Sequence, residues 1–117
     1  MPASYRMKTR LRTDLVAAMK LGRKGDATVL RELIAALDNA EAPPVRHEEP
    51  SYVQHDFLSG AAETERLVLS REQVRDILLK EIETREQAAA EYTRLGRSAD
   101  ALLAEIVVAR RYLDDAR

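Results

Sequence analysis

Apolar residues recur at steps of three and four along four stretches of the chain, a spacing that places them on one face of an α-helix. The four stripes are Met7, Leu11, Leu15, Ala18 and Met19; Val29, Leu30, Leu33, Ile34 and Leu37; Val74, Ile77, Leu78, Ile82, Ala89, Tyr92 and Leu95; and Leu102, Leu103, Ile106, Val107 and Leu113, with Tyr112 beside the last. They predict helices over about residues 5–21, 26–41, 71–95 and 98–115, and no β-strand is needed to explain the sequence.

Turn residues separate the first two helices and end the second. Glycines at both ends of segment 22–25 weaken any helix and give the backbone the freedom of a turn. Asp26 is the predicted N-cap of the second helix, because its carboxylate can accept amide hydrogens of the first turn. Pro43 and Pro44 cannot continue that helix. The short connection predicts an antiparallel hairpin.

The third and fourth helices carry the sharpest local signals. Ser70 and Gln73 have the spacing of a capping box, in which each side chain satisfies a backbone amide of the other residue. Gly96 is well placed to end the third helix in a left-handed conformation, and Ser98 is the predicted cap of the fourth. Because so short a turn forces the helices to fold back, these signals predict a second antiparallel hairpin.

Residues 43–69 do not fit the helical pattern. This segment begins with a polar, proline-rich stretch, and its apolar residues Tyr52, Phe57 and Leu58 follow no sustained period. A loop of this length in a compact domain is unusual, and we expect weak order here. The predicted fold is therefore all-α, with four helices arranged as two antiparallel hairpins joined by a long loop, in a single helical domain of residues 1–117.

Composition narrows the function classes. The absence of cysteine excludes disulfides, thiol nucleophiles and cysteine-ligated metals. With one Phe, four Tyr and no Trp, the core has to be built from aliphatic residues. No apolar run reaches the roughly 20 residues of a membrane span, and the start of the chain does not have the pattern of a signal peptide. A cytoplasmic protein without a membrane partner is the expectation.

Charge is balanced overall at −1 but unevenly distributed. Basic side chains outnumber acidic ones in the first third, and acidic side chains outnumber basic ones in the remainder. The candidate nucleic-acid-binding residues of the first hairpin are Arg12, Lys20, Arg23, Lys24 and Arg31. Clustered cations of this kind can contact phosphates, although a solvated helical surface is the simpler interpretation. Since no aromatic residues are interleaved with them, any RNA contact would be to backbone and shape.

No catalytic residue, metal ligand or cofactor is predicted. The two histidines, His47 and His55, lie near acidic residues in the long loop, but no helical pair of ligands is present to hold a metal rigidly. A metal-dependent enzyme using them is the least favoured hypothesis. The carboxylates of the third helix alternate with basic residues, as in the pair Glu81 and Arg85, and are interpreted as a solvated face.

Four segments together resemble a known family. The segments are LRTDLVAAMK at 11–20, VLRELIAALDNAE at 29–41, LSREQV at 69–74 and AEYTRLGR at 90–97. They are similar to the helical part of the GatB/YqeY family, outside the loop at 43–68. Family members of usual length carry a further helical domain after the second hairpin, which the end of this chain at Arg117 predicts to be absent.

The resemblance implies a function without chemistry of its own. The family is similar to the tail of the GatB subunit of a tRNA-dependent amidotransferase, where the tail helps to hold tRNA and the chemistry takes place elsewhere. The expectation is an accessory module that binds tRNA, an amidotransferase or another translation component. The alternative is a protein–protein interaction or scaffolding module, such as a homodimer that covers apolar surface on its helices.

Overall fold

Two helical hairpins make up the fold of the described residues. The computed structural model describes residues 2–43 and 66–116. It contains α1 (Ala3–Lys20), α2 (Lys24–Glu41), α3 (Arg71–Arg94) and α4 (Asp100–Asp115), and no strand within those ranges. Helices α1 and α2 pack together, as do α3 and α4, and α2 also packs on α4. The predicted all-α fold of two hairpins is confirmed.

The first hairpin turns where the glycine pattern predicted, but its second helix begins earlier. Gly22 has a φ of 71°, a left-handed conformation that a residue with a side chain adopts at a cost. Helix α2 starts at Lys24, so the predicted N-cap role of Asp26 is wrong. Asp26 instead lies inside the first turn and pairs with Arg23 at 3.6 Å.

The second hairpin follows its local signals closely. Ser70 Oγ accepts from the Gln73 amide at 3.1 Å, and the Ser70 amide donates to Gln73 Oε1 at 2.8 Å, which confirms the capping box. Gly96 has a φ of 74° after the end of α3 and confirms the predicted left-handed stop. The predicted cap of α4 is not formed, since Ala99 occupies the N-cap position and the hydroxyl of Ser98 only accepts from the Asp100 amide at 3.3 Å.

The predicted long loop is described only at its two ends. Its last residues, from Arg66 to Ser70, are not helical. The Leu67 amide donates to the carbonyl of Glu41 at 2.7 Å, and Leu69 is buried in the core. These contacts bring the start of α3 against the end of α2. Tyr52, Phe57 and Leu58 lie outside the described residues.

Aliphatic side chains from all four helices form the core. Its largest fully buried members include Leu11, Leu33, Leu37 and Leu78. Among the described residues, this core extends along α3 only as far as Ile82 and along α4 only from Ile106 onward. Several predicted core residues are exposed instead: Met19 in α1, Tyr92 and Leu95 at the end of α3, and Leu103 and Val107 in α4. Their spacing places them on the apolar stripes of their helices, but none of the other described helices covers them.

None of the described helices combines the length with the apolar character that a membrane crossing requires.

Candidate nucleic-acid interface

The five predicted cations all lie on the surface of the first hairpin. They are defined here as the basic surface: Arg12 and Lys20 on α1, Arg23 in the turn, and Lys24 and Arg31 on α2. Every one of these side chains is exposed. Their exposure agrees with a solvated helical surface and with a binding surface, so the arrangement of the charges has to distinguish the two.

The register of the hairpin places Arg12 and Arg31 along the same seam between α1 and α2. Lys8 Nζ contacts Asp38 Oδ1 at 2.9 Å across this seam. Arg12 lies one helical turn after Lys8, and Arg31 lies two turns before Asp38, so in an antiparallel pair both are displaced in the same direction. At 1.5 Å per residue the two positions differ by only about 4–5 Å along the hairpin axis. We infer that the two arginines lie on either side of the middle of the seam.

The other three cations gather at the turn. Lys20 is in the last turn of α1, where a positive charge interacts favourably with the carbonyl end of the helix. Arg23 and Lys24, by contrast, are placed unfavourably. They lie at the amide end of α2, where the helix dipole repels a cation. No side chain caps this helix end. Helix stability therefore does not explain why these two positions are basic.

Most carboxylates of the first hairpin are paired with residues outside the basic surface. Four of the five acidic residues of the first hairpin pair outside the basic surface: Asp14 with Tyr112, Glu32 with Arg85, and both Asp38 and Glu41 with Lys8. The fifth, Asp26, pairs with Arg23. Arg12, Lys20, Lys24 and Arg31 pair with no carboxylate within residues 2–43 and 66–116. Within the described ranges, Arg23 is thus the one cation of the basic surface with a carboxylate partner.

Aliphatic side chains lie among these cations. Val16 is one turn from both Arg12 and Lys20 along α1 and is 51% exposed. Met19 and Leu21 are 55% and 70% exposed on the way to the turn. The sequence assigned Met19 to the core and did not single out Val16 or Leu21. Their exposure adds apolar contact area to a surface that is otherwise positive.

A buried ionic cluster, which the sequence did not predict, holds the open end of this hairpin. Lys8 is only 8% exposed and donates to Glu41 Oε1 at 2.6 Å as well as to Asp38. Ser4 Oγ donates to Glu41 Oε2 at 2.5 Å, and Arg66 Nη2 donates to Glu41 Oε1 at 3.1 Å. A lysine is seldom buried without charged partners, and the partners of Lys8 are brought to it only by the fold.

In this cluster, hydrogen bonds and opposite charges together shift the pKa values more than burial does. Burial lowers the pKa of Lys8, but hydrogen bonds to Glu41 and Asp38 raise it above its ordinary value. Burial likewise raises the pKa of Glu41, but hydrogen bonds from Lys8, Ser4 and Arg66 bring it below its ordinary value. Both groups are therefore charged at neutral pH, and the cluster sets the register on which the basic surface depends.

A second buried cation joins the two hairpins. Arg85 is 7% exposed, so the expectation that it lies on a solvated face of α3 is wrong. Its guanidinium donates to Glu81 Oε1 at 3.1 Å, to Glu105 Oε1 at 3.0 Å and to Glu32. Burial lowers the pKa of Arg85, but hydrogen bonds to Glu81 and Glu105 raise it. The carboxylates come from α2, α3 and α4, so this one side chain ties three helices together.

The described part of the chain offers no cluster of ligands for a metal ion. Residues 2–43 and 66–116 contain no group of three or more carboxylates placed to hold a metal ion. His47 and His55 lie outside these ranges, so the hypothesis of a metal-dependent enzyme stays a prediction. The described residues do offer a group of exposed cations on the first hairpin.

Comparison of the chain with protein-family models finds no matching family, and comparisons with curated proteins and with solved structures find no match either. The resemblance to the GatB/YqeY family stays a prediction from the segments quoted above.

Proposed function

We propose that this protein is a non-catalytic helical module that binds RNA, foremost tRNA, through the basic surface of α1 and α2. The observation that carries the proposal is that Arg12, Lys20, Lys24 and Arg31 pair with no carboxylate in the described part of the chain. Four of the five carboxylates of the first hairpin bind residues outside the basic surface instead. A surface that is only solvated gains nothing from such segregation, because mixed charges on neighbouring helix positions are more favourable. The resemblance to a family with a tRNA-binding tail supports RNA as the polyanion.

The mode of binding follows from what the basic surface lacks. Residues 12–31 contain no aromatic side chain on which a base could stack. Recognition would then consist of ion pairs between arginine or lysine and phosphate, with Val16 and Met19 in contact with sugar or base edges. Such binding depends on backbone shape more than on sequence, and it weakens steeply as salt displaces the protein from the phosphates.

Two matched variants test this mode of binding. Arg12→Gln/Arg31→Gln removes two cations from the seam, and Lys80→Gln/Arg97→Gln removes two exposed cations from the second hairpin. The measurement is fluorescence anisotropy of labelled tRNA at increasing salt concentration, from which the slope of log K against log salt is obtained. Each phosphate contact contributes about 0.7–0.9 to that slope, so the seam variant should flatten it by about 1.4–1.8.

The control variant should leave the slope unchanged. No binding of tRNA at low salt would refute the proposal. Equal weakening by the two double variants would refute it as well, because that result would mean that general charge and not the basic surface attracts the RNA.

A further inference from the structure

The second hairpin carries an apolar groove that the proposed RNA contact does not use. The groove, called here the arm groove, runs between the end of α3 and the start of α4. It is lined by the small residues Ala89, Ala90 and Ala99 and by the larger Leu103 and Val107. Leu103 is 51% exposed and Val107 is 57% exposed, although both belong to the apolar stripe of their helix.

The arm groove lies beyond the end of the apolar core that the described helices share. Among the described residues the core ends at Ile82 of α3 and begins at Ile106 of α4. Arg85, which binds Glu32 of the first hairpin, lies just beyond Ile82. Ala89 and Ala99 are buried further along the arm but do not belong to the core that the described helices share. Since helices in proteins depend on tertiary packing of their apolar face, this arm is the part of the fold that gains most from a further partner.

We propose that the partner is a second copy of the same chain, and that two arm grooves pack face to face around a two-fold axis. The groove is complementary to itself, because rotation about a two-fold axis places Leu103 and Val107 of one copy against the alanines of the other. Alanines allow two helices to approach closely while branched side chains fill the space between them. The product is a four-helix bundle built from two arms, with an apolar core that neither copy has alone.

The charges around the groove favour a copy over a strongly charged partner. Glu86 of α3 and Arg110 of α4 form an ion pair at 2.7 Å at the edge of the groove. One charge of each sign makes this edge neutral, so it does not attract a basic or an acidic segment in particular. A two-fold operation brings the Arg110 of one copy toward the Glu86 of the other, which adds favourable pairs without leaving a charge unmatched.

Sedimentation of the purified chain, free of RNA, tests the interface. The protein should pass from monomer to dimer between about 1 μM and about 1 mM, the range expected for an interface of modest area. Val107→Glu, which buries a charge in each copy, should raise the dissociation constant at least about ten-fold. Val16→Glu is the matched control, since Val16 is a valine of similar exposure on α1, and it should leave the constant unchanged.

An introduced cysteine then identifies the face. The chain has no cysteine, so a single one can be labelled without interference. A short bis-maleimide should link two copies of Ala90→Cys in solution, and it should not link copies of Ala35→Cys, which carries its thiol at an exposed alanine of α2. A concentration-independent monomer overturns the proposal, and so does a dimer that Val107→Glu leaves intact or that Ala35→Cys captures as well as Ala90→Cys. Neither experiment involves RNA, so its outcome is separate from that of the RNA proposal.

Discussion

Replacing Arg85 by alanine removes the one cation that three carboxylates share at the junction of the two hairpins. The guanidinium is 7% exposed and donates to Glu81, Glu105 and Glu32, and it also donates to the Glu81 carbonyl at 3.0 Å. The substitution also deletes the aliphatic stem, which is buried with the rest of the side chain. What remains is a partly buried site with three negative charges and no positive one.

The expected cost can be estimated from the exposure of each group. Breaking a buried ion pair by removing one partner costs about 3–5 kcal/mol when the remaining charge stays buried. Here the side chains of Glu81 and Glu105 are 29% and 23% exposed, and that of Glu32 is 51% exposed, so water partly replaces the lost arginine. We therefore expect Arg85→Ala to lower the free energy of unfolding by about 2–3 kcal/mol, a large share of the roughly 5–15 kcal/mol of a small domain.

Urea unfolding followed by far-ultraviolet circular dichroism measures this change. Arg85→Met, which keeps an apolar stem of similar length, should recover part of the loss because its packing is retained. Arg94→Ala is the matched control on the same helix, since Arg94 pairs only with Glu91 on the surface. It should leave the unfolding midpoint unchanged.

Two results would refute the reasoning about Arg85. A loss below about 0.5 kcal/mol for Arg85→Ala would mean that the buried ion pairs contribute no more than surface pairs do. An Arg94→Ala variant as unstable as Arg85→Ala would mean that removal of any arginine from α3 has the same effect.

Two further predictions concern the other buried polar contacts. The pKa of Glu41 is lowered because hydrogen bonds from Lys8 and two neighbours outweigh burial. Glu41 therefore contributes its full stabilisation above its pKa of 4.5 in the unfolded chain, and this stabilisation is lost as the pH falls through the lower pKa of the folded state. The stability of Glu41→Gln should therefore fall less between about pH 5 and about pH 3 than that of the unaltered protein; equal acid sensitivity in urea unfolding would contradict this. The hydroxyl of Tyr112 donates to Asp14 Oδ2 at 2.6 Å between α4 and α1, so Tyr112→Phe should cost about 1 kcal/mol in the same assay. Tyr92→Phe is its control, because Tyr92 is 44% exposed, and an equal loss in both variants would show that the bond to Asp14 contributes nothing.

Signals that act within a few residues were predictable for physical reasons. The capping box of Ser70 and Gln73 and the left-handed stop at Gly96 depend on backbone groups three or four positions away, and both are present as expected. The burial of the α2 stripe was predictable too, as Leu33 and Leu37 show, because that helix has neighbours along its whole apolar face. The cap at Asp26 failed, since α2 begins at the preceding Lys24 and leaves the carboxylate inside the helix.

The candidate interface was predictable in its residues but not in its electrostatics. A sequence shows that Arg12 and Arg31 are basic and lie on exposed helix positions. It does not show that the nearby carboxylates of Asp14 and Glu32 are bound to Tyr112 and Arg85 from the other hairpin. Because of those distant contacts, Arg12 and Arg31 have no carboxylate partner among the residues that the structure describes.

By itself the sequence determined the four helices, their two hairpin turns and the residues that bear charge, because these depend on the period of apolar positions and on local backbone chemistry. The tertiary structure decided which side chains those helices bury. It enclosed Lys8 and Arg85 among carboxylates, and it left Leu103 and Val107 exposed where the first hairpin no longer covers α3 and α4. The physical reason is that periodicity describes one helix, whereas burial depends on the length and placement of its neighbours.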